Sequence, residues 1–266
     1  MLSCANIQQN MPMSIIFSPD PATVALLAPT GRLRASINLG NPILANTDPA
    51  TGRARGVSVD LAHALAERLG VPLETIEFPA ATKSVDAVTG GAADVGFFAI
   101  DPLRGAEIAF TDAYILIEGA YLVREDSPCR ANEDVDRPGT TVVVGQGSAY
   151  DLFLTRELKQ AEFVRVSGAA EVVRTLKDGG ADVAGGIRQV LVEVAAGDAA
   201  LRVLPGRFMV IRQAMGLART RGPAAEAALR AFVEDMKASG FVAQAMARHA
   251  VAGATVAPAD TGTPSN

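Results

Sequence analysis

Tryptophan is absent from this chain, aromatic residues make up 5% of it, and cysteine and histidine occur only twice each. With so few rings, any core has to be built mainly from Ala, Val, Leu and Ile, a composition that suits helices and parallel strands. Cys4 and Cys129 lie far apart in sequence, which implies neither a disulfide framework nor a metal site. His63 and His249 each fall in a helical pattern and read as surface residues, leaving no support for a zinc site or a Ser-His-Asp triad. Lys and Arg form no block and the formal net charge is −5, so the basic footprint of a nucleic-acid binder is missing. No apolar run reaches the length of a membrane span. The N-terminal residues also lack the basic, apolar and small-residue order of an export signal, and Leu2-Ser3-Cys4 has no apolar stretch before it to make a lipid-attachment site. Residues 1–30 therefore read as a poorly structured arm, with Met11 and Met13 as alternative starts.

What the chain does have is 49% hydrophobic residues in 266, enough for one large domain or two modest ones. Residues 31–40 read as a turn and an alternating strand with Leu33, Ala35, Ile37 and Leu39 on one face, leaving Asn38, Gly40 and Asn41 at its end. The loop that follows to Gly56 is rich in Asn, Thr, Asp, Pro and Gly and is expected to rim a cleft. Leu61, Leu65 and Leu69 mark a helix ended by Gly70, and residues 71–78 a second strand. A helix through Val85 and Val88 stops at Gly90-Gly91 before Ala92-Ala93-Asp94-Val95-Gly96-Phe97. That phrase returns at Ala181-Asp182-Val183-Ala184-Gly185-Gly186, after Gly179-Gly180. With it returns the order of elements: strand 140–144, a helix from Tyr150, strand 163–166, a helix, strand 182–186. Two α/β lobes of similar topology are the simplest account. A strand over 208–217 and helices over 224–239 and 240–249 come after the second lobe. Packed back on the first, they make the chain cross between lobes twice and create a hinge.

Residues 96–114, GFFAIDPLRGAEIAFTDAY, form an apolar strand that breaks at Asp101-Pro102 and puts Arg104 at a strand end. Strand ends of open α/β sheets are where ligands sit, and a guanidinium fork suits a carboxylate. Capture of a small anion is one reading; a surface arginine in a turn is the other.

Several pieces stand in a specific order. They are Gly56-Val57-Ser58-Val59-Asp60-Leu61-Ala62 with Glu67-Arg68-Leu69-Gly70, Gly90-Gly91 with Asp94-Val95, Asp101-Pro102-Leu103-Arg104, Phe110-Thr111-Asp112-Ala113-Tyr114, Gly145-Gln146-Gly147-Ser148 and Lys237-Ala238-Ser239-Gly240. Over residues 31–251 the chain resembles the bacterial extracellular solute-binding proteins of family 3, the polar amino-acid transporter type. The resemblance implies an α/β, two-lobed type II periplasmic-binding fold, each lobe a mostly parallel sheet flanked by helices, with the ligand cleft between them. Lobe 1 would comprise residues 31–116 and 211–252, lobe 2 residues 117–210, and residues 253–266 a flexible tail. It implies that Arg104 holds a ligand carboxylate, and that Gly147, Ser148 and Ala149 meet it through backbone N–H groups and a hydroxyl. An ordinary N-cap is the other role open to Ser148. Asn41, Phe98, Ala99, Asp101 and Arg188 complete the expected binding set.

The departures from the family are Ala99, where members place a hydroxyl, Asp101, where they commonly have Thr, and Ile187, where amino-acid binders carry an acid for the α-ammonium. Asp101 is then either a replacement acid or a cap for its own turn, and Arg188 a second cation favouring a carboxylate. The implied function is capture of a small carboxylate-bearing solute by lobe closure for an ABC transporter permease, as a monomer, without cofactor and without catalysis. A cyclohexadienyl or arogenate dehydratase-like enzyme on the same scaffold, with Glu118 or Asp101 as the acid, is the alternative; a sensor module is a third reading. The resemblance places the protein in the periplasm, with the cytoplasm as the alternative.

Overall fold

A computed structural model describes Phe17 and residues 19–259. The first helix, α1 (Pro21–Leu27), lies inside the expected arm. Asp20 caps it, accepting from the Thr23 N–H at 2.7 Å, and Pro21 fits the first turn because its absent N–H would have had no acceptor there. Leu27 is fully buried and Leu26 packs beside it; these two apolar residues dock a segment that composition alone had left unstructured. Cys4, Met11 and Met13 lie outside the described residues.

The first half of the sheet then follows: β1 (Leu33–Asn38), a two-residue hairpin of β2 (Asn46–Thr47) and β3 (Ala54–Arg55), α2 (Val57–Leu69), β4 (Leu73–Phe78), α3 (Ala81–Thr89) and β5 (Val95–Ala99). Leu61, Leu65 and Leu69 form the buried face of α2. Gly70 ends it at φ 67°, where a side chain would be strained, and the Val71 N–H closes back on the Ala66 carbonyl at 3.1 Å. A long strand, β6 (Ile108–Arg124), leads to the second half: β7 (Thr141–Gly145), α4 (Ala149–Glu157), β8 (Glu162–Val166), α5 (Ala169–Lys177), β9 (Val183–Ile187), α6 (Arg188–Ala196) and β10 (Leu201–Val203). The chain returns through β11 (Met209–Ala218), α7 (Pro223–Ala238), α8 (Phe241–Arg248) and β12 (Thr255–Val256).

The strand order is β4-β1-β5-β11-β6-β9-β7-β8. β1 runs parallel to β4 and β5, and β7 parallel to β8 and β9, so each half is an open parallel unit. The two are joined by β6, which pairs with β11 from Ile108 to Gly119 and with β9 from Gly119 to Val123. One core gathers Leu33, Leu61, Leu65, Tyr114 and, from α7, Leu229 and Phe232; separate clusters around Val143 and Leu176 and around Tyr121 and Leu154 serve the other half. The expected tail is a strand at its start: β12 pairs with β6 at Ile115 and Leu116, a stretch of β6 edge that β9 leaves uncovered. Of the two histidines, His63 is exposed as expected, whereas His249 is half-buried with Nε2 3.0 Å from Asp60 Oδ2. Among the described residues no helix is long and apolar enough to cross a membrane.

Asp94, just before β5, ties the first half together. Its carboxylate has no exposed surface and takes Arg34 Nη2 at 2.7 Å, the Arg34 N–H at 2.9 Å and Arg221 Nη2 at 2.6 Å. Burial disfavours its charge, but the bonds from Arg34 and Arg221 outweigh that and hold it below the usual carboxylate range. A lowered folded-state pKa stabilises above the unfolded value, and that stability is lost as pH falls through the folded one. Asp94→Asn is therefore expected to cost about 3 kcal/mol at neutral pH by urea denaturation. The gap to wild type should narrow once the pH falls below about 4.

Candidate functional site

A cleft lies between the two halves, where the C-terminal ends of β1, β5 and β7 meet the starts of α3, α4 and α5. Parallel strands deliver loops and helix N-termini to this edge, which is why ligand sites form there. Counted to its open mouth, the space is about 690 Å³.

Arg104 stands in a single 3-10 turn after β5. It is 9% exposed, so the turn buries its guanidinium instead of presenting it to solvent, and the surface-arginine reading fails. Nη1 donates to the Ala99 carbonyl at 3.3 Å and Nη2 to the Gly147 carbonyl at 2.9 Å, one partner from each half. Among the described residues no carboxylate forms an ion pair with it. Burial lowers its pKa, an effect that the charge of Asp101 opposes.

Asp101 is occupied elsewhere. Oδ1 caps its own turn by accepting from the Leu103 N–H at 2.9 Å, and Oδ2 takes Arg156 Nη2 at 2.8 Å from α4 of the other half. It does not line the cleft, and its place as a replacement acid for an ammonium goes to the turn and to Arg156. Gly147 does not line it either. Its N–H donates to Asp151 Oδ2 at 2.8 Å, so that donor is spent within α4, while its carbonyl holds Arg104. At Gly147, φ is +67° and an added Cβ would collide with the Thr82 methyl across the interface, so only glycine fits. Ser148 is the N-cap of α4, accepting from the Asp151 N–H at 3.1 Å, and also faces the cleft. Ala149 and Tyr150 line it in the first helical turn, where N–H groups have no intrahelical acceptor. Burial raises the pKa of the Tyr150 phenol, against a hydrogen bond with Ser148.

Asn41, Phe98 and Ala99 face the cleft as expected, and Asn41 Oδ1 is buried without a hydrogen-bond partner. Arg188 does not. Its guanidinium donates to the Gly206 carbonyl and lies 3.7 Å from Glu118 Oε2, and Glu118 is also held by Arg207 at 2.7 Å. The start of α6 points this arginine at the loop before β11, away from Arg104.

Ile187 completes one wall, and the other lining residues that the binding set omitted are Asn38, Gly40, Phe97, Gly145, Gln146, Tyr150, Ile211, Gln213 and the loops around Ala80 and Gly168. The strand-end rule could have found those in βα loops. Ile211 and Gln213 sit inside β11, where nothing local marks them. Among the described lining residues Arg104 is the one charged side chain, and no Asp, Glu or His is present. No group of metal-ligating side chains occurs among the described residues.

The family model for bacterial extracellular solute-binding proteins, family 3, matches residues 41–251. The glutamine-binding protein of Geobacillus stearothermophilus is 24% identical over 190 residues, 70% of this chain and 72% of that protein. Among solved structures, a mutant of ArgBP from T. maritima superposes with TM-score 0.72 at 22% identity, covering 85% of this chain and 98% of that one. An ancestral amino acid-binding protein, described as a precursor of cyclohexadienyl dehydratase, gives 0.70 at 22% identity, with the same coverage. An amino acid ABC transporter substrate-binding protein from Streptococcus pneumoniae, bound to L-arginine, gives 0.71 at 17% identity over 84% of this chain and 96% of that one. At these identities the structural likeness establishes the fold.

The Asp101–Arg156 pair joins the halves without touching the cleft, and the Arg156 side chain is 41% exposed. The Asp101 end is only 4% exposed, so removing Arg156 leaves a buried carboxylate without its partner. Arg156→Ala should therefore loosen the contact between halves, seen as a larger radius of gyration by small-angle scattering, and added salt should shift wild type in the same direction.

Proposed function

The chain belongs to the bacterial extracellular solute-binding proteins, family 3, and from that premise we propose that it captures a small carboxylate-bearing solute by closing its lobes, with Arg104 as the anchor. The observation that carries this reading is a guanidinium buried in the cleft that forms no ion pair among the described residues. A buried cation is costly until a carboxylate pairs with it, and a planar fork can take both oxygens at once. The free N–H groups at the start of α4 add partial positive charge on the same side.

Closure follows from the same contacts. A ligand touching Arg104 on one half and the α4 terminus on the other binds the closed form better than the open one, and shifts the population by that difference. The hinge falls where the β6 ladder passes from β11 to β9, near Gly119, and in β11 near Met209. The ladder change supports a proposed division into residues 31–116 with 211–252 and residues 117–210. The relatives' names, extracellular solute-binding and ABC transporter substrate-binding protein, support a place at the periplasmic or outer face of the membrane and hand-over to an ABC transporter permease; a monomer is part of the same proposal.

A dehydratase on this scaffold would need a general acid in the cleft. Glu118 is tied to Arg207 and Asp101 to Arg156, so the candidate acids are committed outside it, which favours binding without turnover. Incubation with prephenate or arogenate should give no product.

In a calorimetric and thermal-shift screen over amino acids, dicarboxylates and aromatic acids, Arg104→Ala should weaken the best hit by about 100-fold. Arg104→Lys should fall between, keeping the charge but losing the fork. Full affinity in Arg104→Ala would remove Arg104 from the site.

A further inference from the structure

The charge inventory of the cleft restricts the ligand further. We infer that the solute is a carboxylate with an apolar body and no ammonium group, and that Ile187 is a residue that sets this preference. The inference rests on the carboxylate reading of Arg104.

A zwitterion carries its ammonium next to its carboxylate, so a site that buries one must receive the other. Here the receiving side has no acid. The acids that adjoin the anchor turn, the start of α4 and the start of α6 are already engaged: Asp101 by the Leu103 N–H and Arg156, Asp151 by the Gly147 N–H and Arg165, and Glu118 by Arg207 and Arg188. Pulling any of them inward would break a bond that shapes the turn before Arg104, the start of α4 or the start of α6. An ammonium closed into this cleft would face Arg104, a like charge, with only neutral acceptors to receive it.

The apolar walls point the same way. Phe97, Phe98 and Ile211 belong to the lobe that carries Arg104, and Ile187 and Tyr150 face them from the other half, where both also pack against the first core. Ile187 ends β9 and begins the turn into α6, so its side chain closes the wall opposite the β5 end. Such a wall gains by covering hydrocarbon and loses by covering a charge. Asn41 supplies the neutral counterpart: its buried, unpaired Oδ1 can accept from a ligand hydroxyl, which needs no counter-charge.

Matched ligands that differ only at the α position test this directly by calorimetry: L-phenylalanine against phenyllactate and hydrocinnamate, and L-leucine against leucic acid and isocaproate. In at least one series the hydroxy or unsubstituted acid should bind at least about 10-fold tighter than the amino acid. Ile187→Asp, which puts a carboxylate on the wall, should raise affinity for the amino acid and lower it for its partner. If amino acids bind wild type as tightly as their partners, and Arg104→Ala abolishes that binding, the inference is overturned while the carboxylate reading stands. If no carboxylate in either series binds wild type, both are overturned. The wild-type comparison holds whether or not Ile187→Asp folds, and a folded variant without gain for the amino acid would remove Ile187 from the selecting role.

Discussion

Arg104 holds its charge against two backbone carbonyls, Ala99 from its own strand and Gly147 from the opposite half, and most of the cleft is arranged around that contact. Carbonyl dipoles satisfy N–H groups but do not neutralise a cation. The start of α4 brings a second region of positive potential to the same place, and Asp151 in its first turn offsets part of it. Two like potentials brought together across an interface oppose the contact between halves, and an anion placed between them reverses the sign of that interaction. In the proposed function, anion binding and contact between the halves are thereby linked through one buried group.

The sheet topology makes that linkage mechanical. Because β6 serves both halves in one continuous strand, neither half can rotate without bending it, and the bend is confined to the place where its ladder partner changes. The parallel units on either side have cores of their own, with Tyr150 and Ile187 of the second half packed against the first core. Asp101 and Arg156 sit across the interface beside Arg104, so a turn that positions the anchor also carries a tether between the halves. The Arg156 end of that tether lies open to solvent and is screened by salt. That is consistent with a device that has to reopen.

The order of elements was legible in the sequence because each carries a local signal. The leucines of α2 recur every four residues and stop at Gly70, and the Gly-Gly and Ala-Asp-Val phrases mark the same helix-to-strand step in both halves. The length of β6 was less plain, since its two parts are apolar for different reasons, one packed under α7 and the other under α6. α1 and β12 were lost to composition, being held by tertiary contacts made far away in sequence. Of the residues that the family resemblance implied, Arg104, Asn41, Phe98, Ala99, Ser148 and Ala149 line the cleft. Asp101, Gly147 and Arg188 lie close in sequence to those positions but turn aside, because their polar groups find partners in the scaffold first. Side-chain direction after a turn depends on which partner is available, and that is a property of the folded neighbourhood.

Relatives at 22 to 24% identity share this scaffold and differ in what the cleft can hold, for a physical reason. Asp94 and the leucine stripe of α2, which hold the first half together, do not line the cleft. Specificity is a difference of affinities, and it can be set by what a wall withholds as much as by what it offers. An acid on the cleft wall near Arg104 would pair with the anchor whenever the site held no ligand, lowering affinity for every carboxylate unless the ligand brought its own cation. With Ile187 and Ala99 on that wall and Asp101 bonded to Arg156, no acid among the described lining residues competes with a ligand for the Arg104 fork. The same absence that weakens the case for a zwitterion therefore strengthens the site for a simple carboxylate.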